Sequence, residues 1–260
     1  LTDDKVQGFY DELADDYHLI FADWRESVRR QGDILHRLIR EKTGRDAVQL
    51  LDCSCGIGTQ AIGLARLGHR VTATDLSPGA VERARREAAA AGVAVEFGVA
   101  DFRSLATTVA GSFDVVITCD NSLPHLLTDA DLWLAAKNMW QKLVPGGLLL
   151  ISLRDYDRLL AARPRTTEPR VYDGGKRIVF QLWDWLEQES IYTINHFIIR
   201  ETKGRWETKH SATLYRALPR QELTAILEGT GFADVEWHPP EATGYYQPVV
   251  TARKRLRGEA

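Results

Sequence analysis

The chain has 260 residues, 44% of them hydrophobic and 27% charged, enough for one large α/β domain or a domain with a substantial insertion. Its formal net charge of −3, from 33 basic against 36 acidic residues, leaves no footprint for a polyanion and weighs against nucleic acid. No apolar run approaches the roughly 20 residues that span a bilayer, and the start Leu1-Thr2-Asp3-Asp4-Lys5 is unlike a secretory signal, so a soluble cytoplasmic protein without a membrane partner is expected.

Residues 5–41 read as helix with a break near Ala22-Asp23, a prelude whose aromatic cluster around Phe9-Tyr10 and Tyr17–Trp24 suits either a lid or plain helix packing. Val48–Cys53 is the first predicted strand. It runs into Cys53-Ser54-Cys55-Gly56-Ile57-Gly58-Thr59, where glycines at 56 and 58 let the chain turn and a ligand approach the main chain ahead of a helix over 59–67. The spacing points to a nucleotide-like cofactor and leaves its identity open. Cys53, Cys55 and Cys119 are odd in number and sit in apolar segments, so buried thiols are expected, with neither disulfide nor metal site.

A second strand at Arg70–Thr74 ends on Asp75, where Rossmann-like proteins hold ribose hydroxyls; Ser77-Pro78 then starts a helix closed by Gly92. Strand Ala94–Val99 delivers Asp101-Phe102, a carboxylate and a ring suited to adenine or to capping a short helix at 103–109. Strand Phe113–Cys119 leads into Asp120-Asn121-Ser122-Leu123-Pro124-His125, which gathers polar groups at the carboxyl edge of the sheet and makes Asn121 and His125 site candidates. After a helix over 129–143, Pro145-Gly146-Gly147 reads as a tight turn before a buried strand ending at Arg154. A charge there needs a carboxylate, from the protein or from a substrate.

Beyond residue 167 the pattern changes. Lys176–Trp185, Glu189–Glu201 and Glu207–Leu214 predict an antiparallel meander with turns at Glu187-Gln188 and Lys203-Gly204, followed by a helix over 219–229 and strands at 235–237 and 248–254. The expected fold is therefore α/β: a Rossmann-like three-layer sandwich with a mostly parallel sheet, an N-terminal helical prelude (1–45), a core over 46–160 rejoined by 217–256, and an added antiparallel β meander over 161–216.

A nicotinamide enzyme normally opens with its glycine strand and carries a second mononucleotide half; here a helical prelude comes first and one sheet closes the unit. Asp52 to Gly58, Asp75, Asp101-Phe102 and Pro145-Gly146-Gly147 resemble the motifs of class I S-adenosylmethionine-dependent methyltransferases. Asp120–Leu126, Leu134–Asn138 and Arg154-Asp155-Tyr156-Asp157 are similar to segments of the glycine/sarcosine N-methyltransferase group. The resemblance implies S-adenosyl-L-methionine as cofactor, its methionine part cradled by the loop of Asp52, Cys53, Gly56 and Gly58. It also implies Asp75 and Leu76 at the ribose, Asp101 and Phe102 at adenine, and Cys119, Tyr17 and Arg30 in contact, Arg30 by pairing the cofactor carboxylate. It implies Arg154 as anchor of a substrate carboxylate and Asn121 as its positioner, with Tyr172, Phe197 and Tyr215 completing the substrate side. His125 could take the amine proton, since imidazole titrates near neutrality, or could only orient the substrate. Phe197, beside His196, replaces a tyrosine of the group, with Tyr192 or Tyr215 as the candidate substitutes. The expected activity is N-methylation of a small carboxylate-bearing amine such as glycine, sarcosine or a related amino acid. The alternative is an O- or N-methyltransferase for a larger natural product. A homo-oligomer is possible.

Overall fold

The computed structural model describes residues 2–186 and 190–255. In chain order the elements are α1 (Thr2–Leu13), α2 (Trp24–Thr43), β1 (Gln49–Asp52), α3 (Thr59–Arg66), β2 (Arg70–Asp75), α4 (Pro78–Ala91), β3 (Glu96–Val99), α5 (Leu105–Thr108), β4 (Phe113–Thr118), α6 (Asp129–Lys142) and β5 (Leu143–Ser152). Then follow α7 (Tyr156–Ala162), β6 (Arg170–Tyr172), β7 (Arg177–Trp185), β8 (Ile191–Thr202), β9 (Arg205–Arg216), α8 (Arg220–Thr230), β10 (Phe232–His238), α9 (Pro240–Thr243) and β11 (Val249–Lys254). The expected turn at Glu187-Gln188 lies outside the described residues.

One sheet has the order β10-β11-β5-β4-β1-β2-β3, and β11 pairs antiparallel with both β5 and β10, so it alone of the seven strands runs in reverse. Alternation sorts the strands' side chains. Leu50, Val115, Ile117, Leu148 and Leu150 pack against α2 and α3, while Leu51, Val116, Leu149 and Ile151 pack against α5, α6 and α8. The strands are short apolar runs because both faces are covered. Crossovers through helices keep them parallel, so their carboxyl ends gather on one edge.

The second sheet, β6-β7-β8-β9, is antiparallel throughout. Its Trp183, Tyr192, Ile194 and Tyr215 merge into the same apolar cluster as Leu153 and Tyr156 at the end of β5. The meander is therefore seated over the carboxyl edge. Strand β6 and helix α7 lack a clear sequence signature, being three and seven residues long.

Two boundaries differ from expectation. The prelude breaks at Ala22-Asp23 as expected, where Asp23 caps α2 by accepting from the Glu26 N–H at 3.1 Å, and it breaks a second time after Leu13, with a single helical turn at Tyr17–Ile20 between the two. Pro145-Gly146-Gly147 does not stand between elements. It bulges inside β5, where the pairing steps from Phe113–Leu143 to Val115–Leu148, and Gly146 takes φ 75°. Among the described residues no helix is long and apolar enough to cross a membrane.

Candidate active site

Every segment that the sequence marks as polar at a strand end meets at the carboxyl edge. The loop after β1 turns on Gly56 (φ 51°) and Gly58 (φ 94°). Gly58 is the N-cap of α3, where its positive φ is the reason for glycine, and it does not line the cavity. Gly56 has open space where a Cβ would stand and faces a cavity lined also by Cys53, Leu76, Phe102 and Cys119. The Gly56 N–H donates to Asp75 at 2.8 Å and the Ser77 N–H donates to its other oxygen at 3.0 Å. Asp75 thus ties loop to β2, and burial raises its pKa against those hydrogen bonds.

Asp52 lies fully buried beneath the loop, outside the cavity lining, where it accepts from the Ser54 N–H at 3.3 Å. Desolvation lifts its pKa to about 8, and its Oδ2 has no hydrogen-bond partner among the described residues. Asp101 lines the cavity as expected, yet both its oxygens accept from Arg103 Nε at 3.0 Å, so the carboxylate is already engaged within the fold. Arg30 is exposed on the larger, neighbouring cavity and does not line the one beside the glycine loop.

The loop after β4 carries two consecutive residues in the left-handed region, Asp120 (φ 58°) and Asn121 (φ 69°). Such a pair is strained for side-chain-bearing residues, least for Asp and Asn. The end of β5 pins it. The Asp120 N–H donates to Ser152 Oγ at 2.9 Å and the Asn121 N–H to the Ser152 carbonyl at 3.1 Å. Asp120 accepts from Tyr245 at 2.8 Å and Tyr246 at 2.6 Å, and burial raises its pKa despite both phenols. It lines both cavities, as do Tyr10 and Tyr17.

Arg154 closes a hydrogen-bonded ring. Its guanidinium donates to Tyr192 Oη at 3.0 Å; that oxygen is 3.1 Å from Tyr156 Oη, and Tyr156 donates to Asn121 Oδ1 at 3.0 Å. Asn121 Oδ1 also accepts the Arg154 main-chain N–H at 3.1 Å, and its Nδ2 has no hydrogen-bond partner among the described residues. The guanidinium stacks on Trp183 at 4.7 Å and Tyr215 at 5.3 Å from the ring centroids. Among the described residues no carboxylate lies within ion-pair distance of it.

His125 faces the Tyr215 ring at 4.4 Å, and its Nε2 is 2.8 Å from Tyr10 Oη. Burial lowers its pKa to about 3, so the expected proton acceptor is held neutral and is poorly suited to that task. Tyr172 lines the larger cavity, while Phe197 turns to the other face of β8, where it stacks on Phe180 at 4.9 Å. The two-residue period of a strand explains the correction: Tyr192, Ile194 and His196 point inward and their neighbours cannot. Sequence reading did not name Tyr10, Asp120, Gln181 or His196 as site residues. Tyr10 carried a signal in the aromatic cluster of the prelude, and Asp120 as the residue preceding Asn121 in the marked segment.

Residues 50–147 match the methyltransferase domain family. A glycine/sarcosine N-methyltransferase of Parasynechococcus marenigrum (strain WH8102) is 32% identical over 175 residues, 66% of this chain and 61% of that protein. The chain spans about three fifths of the length of the curated relatives it matches. Among solved structures, an S-adenosylmethionine-dependent methyltransferase from Clostridium acetobutylicum superposes with TM-score 0.73 at 15% identity, covering 88% of this chain and 92% of that one. An amino pentose methyltransferase from Micromonospora echinaspora, solved with S-adenosylmethionine bound, gives TM-score 0.71 at 18% identity over 92% and 94% of the two chains. Fold, glycine loop and the domain matched over residues 50–147 together make the chain similar to class I S-adenosylmethionine-dependent methyltransferases, whose methyl donor is S-adenosylmethionine. The residues fit that group: Gly56 leaves main chain open to the cavity, Asp75 stands at the end of β2, and Phe102 and Leu76 give apolar walls.

Proposed function

We propose that the chain N-methylates a small amine that also bears a carboxylate, such as glycine, sarcosine or a related amino acid. The observation that carries this reading is Arg154, a half-buried guanidinium surrounded by phenols, an amide and an indole, with no carboxylate among the described residues within ion-pair distance. A partly buried cation held only by neutral groups favours an anion brought by the ligand. The similarity to glycine/sarcosine N-methyltransferases agrees with it.

S-adenosylmethionine, when bound, would supply an activated methyl on a sulfonium whose leaving thioether is neutral. Gly56, Asp75, Leu76 and Phe102 would hold it on one side of Asp120-Asn121, with Tyr10 and Tyr17 above. On the other side Arg154 fixes the acceptor's carboxylate, and Asn121 Nδ2 and Asp120 stand at the junction, where an amine would meet them. The chain's contribution is alignment, worth on the order of 7–11 kcal/mol in well-oriented systems. The amine must arrive or become uncharged. Asp120, lining both cavities, is the carboxylate placed to receive its proton, while neutral His125 orients.

Arg154→Ala is expected to weaken acceptor binding by roughly 100-fold and to leave S-adenosylhomocysteine affinity unchanged, both measured by calorimetric titration. Unaltered acceptor affinity would remove the anchor. A second reading, a larger natural-product acceptor, has support in the size of the neighbouring cavity, about 1170 Å³ and walled by Trp183 and Tyr215. Formation of S-adenosylhomocysteine on a panel of amino acids, amino sugars and phenols separates the two.

A further inference from the structure

The larger cavity contains a polar group that this mechanism leaves unused. His196, on β8, is 7% exposed and lines the cavity together with Arg154 and Gln181, and its Nε2 has no hydrogen-bond partner among the described residues. Its neighbours fix its tautomer. Arg154 Nη2 and Trp183 Nε1 both donate to Gln181 Oε1, each at 3.1 Å. Neither can accept, so the glutamine must turn its oxygen to them and its amide nitrogen the other way. That nitrogen is 3.1 Å from His196 Nδ1, which therefore accepts, and the ring's single proton resides on Nε2. Burial first, then the charges of Arg154 and Arg170, lower the imidazole pKa to about 4, so the ring stays neutral across the physiological range. The result is an oriented, uncharged N–H donor in the wall of the acceptor cavity, one glutamine amide away from the guanidinium. A buried donor with nothing to bond is costly, and a site so equipped discriminates strongly for ligands that supply the acceptor.

We infer that His196 Nε2–H reads a second oxygen of the acceptor, so that the substrate is an amine carrying one carboxylate for Arg154 and a further carboxylate, carbonyl or hydroxyl oxygen for His196. The inference rests on Arg154 being the carboxylate anchor and adds a specificity determinant to it. Bare glycine would satisfy the first group and leave the second unmatched.

The probes are acetate, malonate, succinate and glutarate, titrated calorimetrically into protein saturated with S-adenosylhomocysteine. At least one dicarboxylate should bind the wild type about tenfold more tightly than acetate, and the advantage should shrink to about twofold in His196→Phe with acetate affinity unchanged. His196→Gln, which keeps an N–H donor, should recover most of the preference. Equal binding of mono- and dicarboxylates by the wild type, or a preference that survives His196→Phe, overturns the inference and leaves the anchor standing. Failure of every carboxylate to bind, with Arg154→Ala silent, overturns the anchor and this inference together. A test without substitution is the ¹⁵N spectrum of the His196 imidazole. It should show the Nε2–H tautomer, with the Nε2 resonance moving on addition of the preferred dicarboxylate and still with acetate; an Nδ1–H tautomer overturns the proposal.

Discussion

At His125, whose Nε2 lies 2.8 Å from the Tyr10 hydroxyl, desolvation and the charge of Arg154 keep the imidazole uncharged, its pKa lowered to about 3. The sign has a kinetic consequence. A histidine lowered that far has finished titrating before pH 5, so no imidazole limb belongs in the rate profile above it. Instead, on the proposed N-methylation, kcat/KM should climb with pH as the acceptor amine loses its proton, and His125→Gln should lower the rate roughly 10- to 100-fold through misplacement while keeping the same profile. A wild-type limb near the ordinary imidazole value that vanishes in the variant would restore the role of base. Which residue types gather at the strand ends was legible in the chain, because Asn121, His125 and Arg154 follow apolar runs that leave them at one edge. The protonation state was not, because it depends on how completely Tyr10 and Tyr215 enclose the ring, and neither is near His125 in sequence.

Among the elements, α2 and α3 meet through glycine. A Cβ on Gly63 would lie 2.5 Å from the Val28 carbonyl oxygen, and one on Gly32 would lie 2.8 Å from the Gly63 backbone. Backbone cannot step aside as a flexible side chain can, so Gly63→Ala should destabilise by about 1–3 kcal/mol despite alanine's better helix propensity. Urea unfolding measures it, with Gly8→Ala in α1, where nothing lies within 4 Å, as the control expected to be neutral or mildly stabilising. Equal stability of Gly63→Ala and wild type would mean that the helices can separate without loss. Caps and strands of this layer were readable: Gly92 closes α4 at φ 69°, and Leu50-Leu51 splits between two faces. The Gly32–Gly63 contact was not, since two helical glycines look like weak points until the helices are seen crossing. Pro145-Gly146-Gly147 was half legible: its turn chemistry is real, but pairing with β4 on both sides absorbs it into one strand.

Across the whole molecule, α1 is the strap between the two sheets. Asp11 accepts from the Gly79 N–H at 2.9 Å at the start of α4, and Lys209 on β9 donates to Asp16 at 2.9 Å just beyond α1. Arg177 on β7 holds the carbonyls of Leu19, Phe21 and Ala22. Since Tyr10 and Tyr17 wall both cavities, S-adenosylhomocysteine should slow amide hydrogen exchange in α1 and in the turn at 17–20 as well as in the loop at 53–58. Protection confined to the loop would show that the strap takes no part in binding. The fold class was legible because a parallel sheet needs its order of strand, glycine loop and helix; the seating of the meander over the sheet was not, because it rests on Trp183, Tyr192 and Tyr156 meeting across distant stretches.

The route of the chain carries one more consequence. It leaves the parallel sheet after α7 and returns at α8, so the whole antiparallel sheet is one uninterrupted stretch of polypeptide, while the groups around Gly56 and Asp75 lie well upstream. Gln181, His196 and Tyr215 can therefore be exchanged in a single genetic event that leaves the methyl-donor machinery untouched. Inheritance can revise what receives the methyl group without reopening the question of what gives it.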